Sequence, residues 1–336
     1  MRVLITGGAG FIGSHLGKYL LSKKHQVYLL DNLKYGFVDN FFDNKELVAT
    51  FIPMDVRNPR LETVMKSIDV VFHLAGTASL PFCNDDPKEA YDCNVAGTAN
   101  VLEMARRAGV KRVIFASTAA IYDYQPIAFP ESTETKPSLI YAQTKKAAEE
   151  VCEAFRQMYG MDITILRFFN VYGPNMVFRP PSYLVSYVIG SLLKKEVPVL
   201  HSNGKQARDF VYITDVTKIC EIVMTHPKAK NEVFNVGTGR TITVQEVFDI
   251  VAKLLKIRSI KPKYRDPKLI WEKFPRQTQG KYHLNPKFLE NEVNRYTLAA
   301  TEKAKSVLNW QAKVTIEQGL AKTVAYTIKK GLKTAV

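Results

Sequence analysis

The sequence contains 336 residues, enough for one large domain or two of medium size. An apolar fraction of 46% and a charged fraction of 24% are typical of a soluble globular protein. No apolar run reaches the roughly 20 residues of a membrane-spanning helix, so no membrane partner is expected. The net charge of +15 is spread along the chain, which indicates a solvated basic surface and predicts no nucleic-acid partner. The functional alternative is that this positive charge creates an electrostatic field that attracts anionic substrates.

The N-terminus and the cysteines indicate a cytoplasmic protein. The first two residues lead directly into the strand-like segment 3–5, without the apolar stretch and cleavage site of a secretory signal. Buried thiols are expected rather than a disulfide framework or a zinc site, because the cysteines are scattered and show no CxxC pattern. They are Cys83, Cys93, Cys152 and Cys220. We therefore predict no metal.

Short apolar runs alternate with helical patterns in the first half of the chain. Helices are predicted at about 11–23 and, most clearly, 87–107, and strands at 3–5, 26–30, 50–52, 69–73 and 112–116. Continuous Val, Ile and Leu runs are typical of strands that are buried on both faces. The alternation predicts an α/β fold with a doubly wound parallel sheet.

The character of the sequence changes after residue 173. A helix at about 142–158 leads into a strand at 163–166, after which loops lengthen and Pro, Tyr and Arg become frequent. We predict a first domain over residues 1–173 and a smaller, mainly substrate-binding region over residues 174–336. The chain is expected to return to the first domain between residues 209 and 240, and residues 315–330 are predicted to form a helix.

A glycine-rich loop lies between the first predicted strand and the first helix. Gly7, Gly10 and Gly13 allow a tight turn, close approach of the backbone to a pyrophosphate, and packing of the helix on the strand. Phe11 and Ile12 open the helix, whose free N–H groups favour phosphates. A strand before the loop and a helix after it make this a predicted dinucleotide site.

Asp31 ends the second predicted strand and indicates which dinucleotide binds. A carboxylate at this place accepts hydrogen bonds from the ribose hydroxyls and repels a 2′-phosphate, which favours NAD over NADP. A turn with Asn32 is the structural alternative. Asp55, just after the third strand, is a candidate for contacting the adenine, and a capping or turn role is its alternative.

Tyr141 and Lys145 are predicted to lie one turn apart on a helix that follows Pro137. A lysine ammonium and an oxidised nicotinamide both favour the phenolate, so this tyrosine can remove a proton from a sugar hydroxyl. Thr118 ends a predicted parallel strand and is placed to hydrogen-bond the same hydroxyl. The structural alternatives are that Tyr141 and Lys145 are an ordinary pair on the helix surface, and that Thr118 is a strand-end or turn hydroxyl.

Several sequence blocks, in order, resemble the extended short-chain dehydrogenase/reductase family, and within it the nucleotide-sugar epimerase/dehydratase group that includes UDP-glucose/UDP-galactose 4-epimerases. They reach from the N-terminus to about residue 310. The blocks are residues 6–13 (TGGAGFIG), 72–75 (FHLA), 94–98 (NVAGT), 117–122 (STAAIY), 141–145 (YAQTK), 167–174 (RFFNVYGP), 208–212 (RDFVY) and 235–237 (NVG).

The resemblance implies a Rossmann-type sheet, NAD as cofactor, Thr118, Tyr141 and Lys145 as catalytic residues, and a homodimer formed through helices at about 87–108 and 142–159. Substrate contacts are implied for Asn170 and, at the diphosphate, for Arg208, whose guanidinium matches phosphate oxygens. An ion pair of Arg208 with Asp209 or Asp215 is the alternative. Besides the glycine loop, Asp31, Asp55, Tyr141 and Lys145, the implied cofactor contacts are Asn32, Val56, Leu74, Ala75, Asn94 and Ser117.

The two residues after Thr118 indicate the reaction. The 4,6-dehydratases of this group carry an Asp-Glu pair there and the decarboxylases a Glu, whereas this chain has Ala119 and Ala120. We therefore predict C4 epimerisation of a UDP-hexose through a transient 4-keto intermediate, with Tyr141 as the base. An NAD-dependent dehydrogenase, ketoreductase or decarboxylase on the same fold is the alternative, and a non-catalytic nucleotide-binding protein is a further one.

One segment departs from the family pattern. Residues 262–292 look longer than usual, and the arginine that often grips the nucleotide is absent from residues 289–292 (LENE). Arg265, Arg276 and Lys281 are the candidate replacements. The resemblance implies UDP as the default carrier, and because this arginine is absent, TDP, GDP and CDP remain alternatives.

Overall fold

The computed structural model describes residues 1–43, 46–47, 49–122, 125–178, 183–267, 269 and 274–332, with the backbone alone described for 41–43 and 46–47. Part of the predicted long segment 262–292 therefore lies outside the described residues. The strands are β1 (Arg2–Thr6), β2 (Gln26–Asp31), β3 (Phe42–Asp43), β4 (Glu46–Leu47), β5 (Thr50–Pro53), β6 (Val70–His73), β7 (Arg112–Thr118), β8 (Ile163–Phe168), β9 (Asn170–Tyr172), β10 (Val199–His201), β11 (Ala207–Arg208), β12 (Phe210–Tyr212), β13 (Val233–Val236), β14 (Ile242–Thr243) and β15 (Lys263–Arg265).

Seven of these strands form one parallel sheet in the order β13-β8-β7-β6-β1-β2-β5. The predicted doubly wound sheet is thus confirmed. The chain builds the sheet outward from β1 to β5, and then crosses back to place β6 on the other side of β1. The carboxyl ends of β1 and β6 therefore flank the point where the strand order reverses, where open sheets of this kind bind their ligands.

Helices cover both faces of the sheet. Alternate residues of β1 show this: Val3 and Ile5 pack into the core under α1, α7, α8 and α9, whereas Leu4 packs into the core under α2, α5 and α6. The helices are α1 (Phe11–Ser22), α2 (Leu61–Met65), α3 (Leu80–Asp85), α4 (Pro87–Tyr91), α5 (Gly97–Ala108), α6 (Ile140–Tyr159), α7 (Leu184–Leu193), α8 (Ile213–Thr225), α9 (Val244–Leu254), α10 (Pro275–Thr278), α11 (Pro286–Asn294), α12 (Glu302–Leu308) and α13 (Ile316–Lys330).

The predicted single helix over residues 87–107 is wrong in one respect, because a π-helix, Asp92–Ala96, separates α4 from α5. Such π-helical turns inside α-helices are frequent at functional sites. The wider turn contains Asn94, whose side chain is buried. The hydrophobic pattern of the sequence contains nothing that distinguishes this turn from an ordinary helical one.

The later part of the chain adds β13 to the sheet edge and builds smaller pairings: β9 with β12, β10 with β15, and β11 with β14. The division into two regions at residue 173 stays a prediction. No helix in the described part of the chain is long and apolar enough to cross a membrane. All four cysteines are free, and no group of potential metal ligands occurs among the described residues.

Residues 274–294 pack against α3. The Phe274 ring meets the edge of Phe82, with centroids 6.1 Å apart, and Phe82 stacks on Tyr35 at 6.3 Å. The Gln277 side chain donates a hydrogen bond to the Pro81 carbonyl at 2.6 Å. An aromatic row thus runs from the loop after β2, across α3, to the C-terminal third of the chain.

Candidate active site

A cavity of about 640 Å3 opens at the carboxyl edge of the sheet, beside the reversal of strand order. Its walls come from the loops after β1, β2, β5, β6 and β7 and from the start of α6. The cavity brings together all of the predicted cofactor-binding and catalytic residues: Gly7, Gly10, Phe11, Ile12, Gly13, Asp31, Asn32, Asp55, Val56, Leu74, Ala75, Asn94, Ser117, Thr118, Tyr141 and Lys145.

The glycines of the loop after β1 are required by close packing. Gly7 has a φ of +69°, and a Cβ atom there would lie 2.7 Å from the Ala75 nitrogen. A Cβ atom at Gly13 would lie 2.3 Å from the Gly7 carbonyl oxygen. The helix α1 begins next to Gly10 without a side-chain cap and without an acidic residue in its first turn. Its first N–H groups therefore suit an anionic ligand.

Asp31 is buried, and each of its carboxylate oxygens accepts one backbone hydrogen bond. Ala9 in the glycine loop donates at 3.0 Å, and Leu33 in the following loop donates at 2.8 Å. Burial raises the pKa of Asp31, while the two N–H groups act in the opposite direction. Since a carboxylate offers about four acceptor positions, Asp31 can hold these two loops and still accept from a ligand hydroxyl.

A cluster of charges lies next to Asp31 at the same end of the cavity. The Asp55 carboxylate receives both Nε and Nη2 of Arg57 at 2.8 Å, and Asn32 donates to it at 2.8 Å. Glu89 on α4 accepts from Arg57 at 2.8 Å and from Lys34 at 2.7 Å. We call Lys34, Asp55, Arg57 and Glu89 the rim cluster. Arg57 holds the pKa of Asp55 well below its usual range.

Asn94 connects the cavity wall to α6, the helix that carries Tyr141 and Lys145. Its amide exchanges hydrogen bonds with the backbone of Thr77, at 2.8 and 3.1 Å, and donates to the Thr144 hydroxyl at 2.9 Å. Thr144 in turn donates to the Tyr141 carbonyl at 2.8 Å. Asn94 lines the cavity, and its polar atoms also hold the loop after β6 against α6.

Thr118, Tyr141 and Lys145 all line the cavity. Burial raises the pKa of Tyr141, and a hydrogen-bonding interaction with the Thr118 side chain partly opposes this shift. One turn further along α6, the Lys145 nitrogen lies 4.1 Å from the centroid of the Phe115 ring. Burial lowers the pKa of Lys145 to about 8. Lys145 therefore keeps its charge at neutral pH in this apolar surrounding.

Two serine hydroxyls on the cavity wall have no hydrogen-bond partner among the residues that the structure describes. Ser117, on β7, is 4% exposed, and the buried Oγ of Ser79 lies just before α3. Buried polar groups are normally satisfied, so both hydroxyls suit a polar ligand. Ser117 was predicted. Ser79 was not, because no local pattern distinguishes it from an ordinary turn residue.

Asn170 and Arg208, the predicted substrate contacts, do not line this cavity. The Asn170 amide donates to the Asp209 carbonyl at 3.1 Å and to the Thr297 hydroxyl at 3.0 Å. Arg208 donates to the carbonyls of residues 292 and 293, at 3.2 and 3.0 Å, at the end of α11. Burial lowers the pKa of Arg208 to about 10. The roles of both residues in substrate binding stay predictions.

The alternative of an ion pair for Arg208 does not match the structure. The Asp209 carboxylate accepts the backbone N–H groups of residues 238, 239 and 299, and that of Asp215 accepts those of residues 313 and 314. Arg265, Arg276 and Lys281, the candidate replacements for the missing arginine, are exposed and lie outside the cavity lining.

Comparison with known proteins agrees with this geometry. Residues 3–237 match the model of the NAD dependent epimerase/dehydratase family. The chain is 32% identical to a putative UDP-glucose 4-epimerase of Methanocaldococcus jannaschii over 96% of this chain and 97% of that one. It is also 32% identical to a UDP-glucuronate 4-epimerase of Thermodesulfobacterium geofontis, over 96% and 95%.

A solved structure of UDP-glucose 4-epimerase from Thermotoga maritima, with UDP-glucose, superposes with a TM-score of 0.84. The sequences are 31% identical, and the match covers 98% of this chain and 99% of that chain. The protein therefore belongs to the NAD dependent epimerase/dehydratase family.

Proposed function

We propose that the protein is an NAD-dependent nucleotide-sugar 4-epimerase whose substrate is a UDP-hexose. The observation that carries the proposal is that Thr118, Tyr141 and Lys145 line one cavity, which begins at an uncapped helix N-terminus. Family membership and the named 4-epimerases among its relatives support the reaction and the UDP carrier.

The residues of the cavity fit a nicotinamide dinucleotide. The glycine loop leaves no room for side chains where the α1 N-terminus faces the cavity, which suits a pyrophosphate. Asp31 has acceptor positions left for ribose hydroxyls, and Ser117 has an unused hydroxyl. When bound, NAD supplies a hydride acceptor that can also return the hydride, so the same cofactor serves each turnover.

Tyr141 would remove the proton of the sugar 4-hydroxyl and return it after the carbonyl has been reduced. Burial opposes the phenolate by raising the tyrosine pKa, and the hydrogen bond from Thr118 favours it. The ammonium of Lys145 adds a positive charge nearby, in a site where low polarity strengthens its effect.

The residues after Thr118 favour epimerisation over elimination. Ala119 and Ala120 form the short 3-10 turn Ala119–Ile121 and carry no proton-transferring group. The Ala120 carbonyl accepts a hydrogen bond from Arg295 at 2.9 Å, so this turn is held in place by the C-terminal region. A dehydratase would need an acid at this point, whereas reversible oxidation at C4 needs only the tyrosine and the cofactor.

The test is a panel of nucleotide sugars, including UDP-glucose, UDP-N-acetylglucosamine and UDP-glucuronate, with products identified by NMR. We expect a 4-epimer without net NADH release. Stoichiometric NADH would indicate a dehydrogenase or ketoreductase, loss of CO2 a decarboxylase, and no turnover of any sugar a binding protein. Each of these results would contradict the proposal.

The variant Tyr141→Phe tests the role of the tyrosine. We expect turnover to fall by about 10²- to 10⁴-fold, the usual contribution of general acid–base catalysis, while bound NAD is retained. Tyr19→Phe is the matched control, because Tyr19 lies on α1 and donates its hydroxyl to Glu221, outside the cavity lining. Full activity in Tyr141→Phe would exclude this mechanism.

We also propose a cytoplasmic homodimer. Large apolar side chains are exposed on the helices that were predicted to form the interface: Tyr91 is 42% exposed, Met158 76% and Tyr159 55%. Burial of such side chains between two chains is favourable. Free cysteines along the described part of the chain are consistent with a reducing compartment.

A further inference from the structure

The rim cluster places two cations beside the carboxylate that faces the adenosine end of the cavity. Lys34 follows Asp31 in the loop after β2 and lines the cavity, and Arg57 follows Asp55 after β5. In this fold a cation near the end of the second strand is the group that accommodates the 2′-phosphate of NADP. By position, this chain therefore carries both the acidic residue of an NAD site and cations suited to NADP.

Both cations are occupied by Glu89, which comes from a different part of the chain. Its Oε1 lies 2.7 Å from the Lys34 nitrogen, and its Oε2 lies 2.8 Å from Arg57 Nη1. The remaining contacts of Arg57 are with Asp55, at 2.8 Å through both Nε and Nη2. Glu89 lies in the first turn of α4, where its N–H donates to the carboxylate of the N-cap residue Asp86 at 3.0 Å.

The net charge of the region follows from these residues. Asp31, Asp55 and Glu89 contribute three negative charges, and Lys34 and Arg57 contribute two positive ones. A 2′-phosphate with close to two negative charges would enter a region that is already negative by one charge. It would also have to compete with Glu89 for the Lys34 ammonium, and with Glu89 and Asp55 for the Arg57 guanidinium.

We infer that Glu89 determines cofactor specificity, because it neutralises Lys34 and Arg57 and so prevents them from receiving the 2′-phosphate of NADP. The inference rests on the proposed function, in that it takes the cavity to bind a nicotinamide dinucleotide. Asp31 repels the phosphate directly, and Glu89 removes the two groups that would attract it. Discrimination between NAD and NADP thus depends on Glu89, a residue of α4 that follows Asp31 by 58 positions in the chain.

The experiment compares the binding of NAD+ and NADP+ to the wild-type chain and to Glu89→Gln, each stripped of nucleotide, by titration calorimetry. Glutamine keeps the size of the side chain and removes its charge. We expect the ratio of the NADP+ to the NAD+ dissociation constant to fall at least about tenfold, equivalent to about 1.4 kcal/mol. The gain in NADP+ affinity should fade at high salt, because the new attraction is electrostatic.

Asp92→Asn is the matched control. It also removes one negative charge from this helical segment, but Asp92 pairs with the exposed Lys88 and does not line the cavity. We expect its ratio of dissociation constants to equal that of the wild type. An equal fall in both variants would show that overall charge, rather than Glu89, sets the specificity, and would overturn the inference.

Lys34→Gln is an independent second variant. Since Lys34 is already neutralised in the wild type, its loss should change NAD+ binding little and weaken NADP+ binding further. Added to Glu89→Gln, it should reverse most of the gain in NADP+ affinity. An unchanged ratio in Glu89→Gln, or stronger NADP+ binding in Lys34→Gln alone, would refute the inference. A wild-type chain that binds neither dinucleotide would instead refute the proposed function.

Discussion

The buried ion pair between Glu149 and Arg167 anchors the helix that carries Tyr141 and Lys145. Glu149 lies on α6 and Arg167 on β8, and the two side chains form two hydrogen bonds of 3.0 and 2.7 Å while only 6% and 7% exposed. The change Glu149→Gln removes the negative charge and leaves the guanidinium buried. Its remaining partners are the Tyr122 hydroxyl at 2.8 Å and the Glu131 carbonyl at 2.9 Å.

The expected magnitude follows from this burial. Removal of one partner of a buried ion pair typically costs about 3–5 kcal/mol, because the other charge loses its compensation. An unfolding entropy of about 2.1 cal/mol/K per residue, applied to 336 residues, converts this loss into a fall in Tm of roughly 4–7 °C. Replacement of both partners by Met should recover part of the loss, since no unpaired charge then remains.

The assay is scanning calorimetry of Glu149→Gln beside the control Glu150→Gln. Glu150 is the next residue on the same helix, but it is 65% exposed and lies 3.5 Å from Lys146. Such exposed pairs contribute about 0–1 kcal/mol, so the control should change Tm by less than about 1.5 °C. Equal Tm values for the two variants, or a Tm of Glu149→Gln within 1 °C of the wild type, would refute the reasoning.

Two further predictions concern Lys145 and the assembly. Because burial lowers the pKa of Lys145 to about 8, its charge is present below that pH and is lost above it, so kcat/KM should fall as pH rises through about 8. In Lys145→Arg, whose guanidinium stays charged, the pH at which the residual kcat/KM falls should shift upward. If that pH does not shift, the fall in activity belongs to another ionisable group. Light scattering should give about twice the chain mass of 38.0 kDa, and a single-chain mass at micromolar concentration would contradict the homodimer.

Local patterns were sufficient for the sheet and for most of the cavity. The strand before Gly7, the helix after it and Asp31 at the end of β2 are all near one another in sequence, and their spacing reflects backbone geometry directly. Tyr141 and Lys145 are also related by a local rule, the spacing of one helical turn. The structure places each of these residues on the same cavity.

The rest depends on contacts between distant segments. Glu89 meets Lys34 and Arg57 only after α4, the loop after β2 and the loop after β5 have packed together. The π-helical turn at Asn94 is held by Thr77 and Thr144, neither of which is its neighbour in sequence. Such contacts leave no periodic signal in the chain, because each is a single pairing that the tertiary fold creates.

The aromatic row from Tyr35 through Phe82 to Phe274 has a consequence for biosynthesis. Tyr35 lines the cavity, yet the last member of the row is made 192 residues after Phe82. At about 5–20 residues per second, a ribosome needs roughly 10–40 seconds to cover that distance. During this interval the nascent chain contains the glycine loop and Asp31, but the outer wall of the cavity still lacks its C-terminal support. This support is therefore added only after all residues that line the cavity have been synthesised.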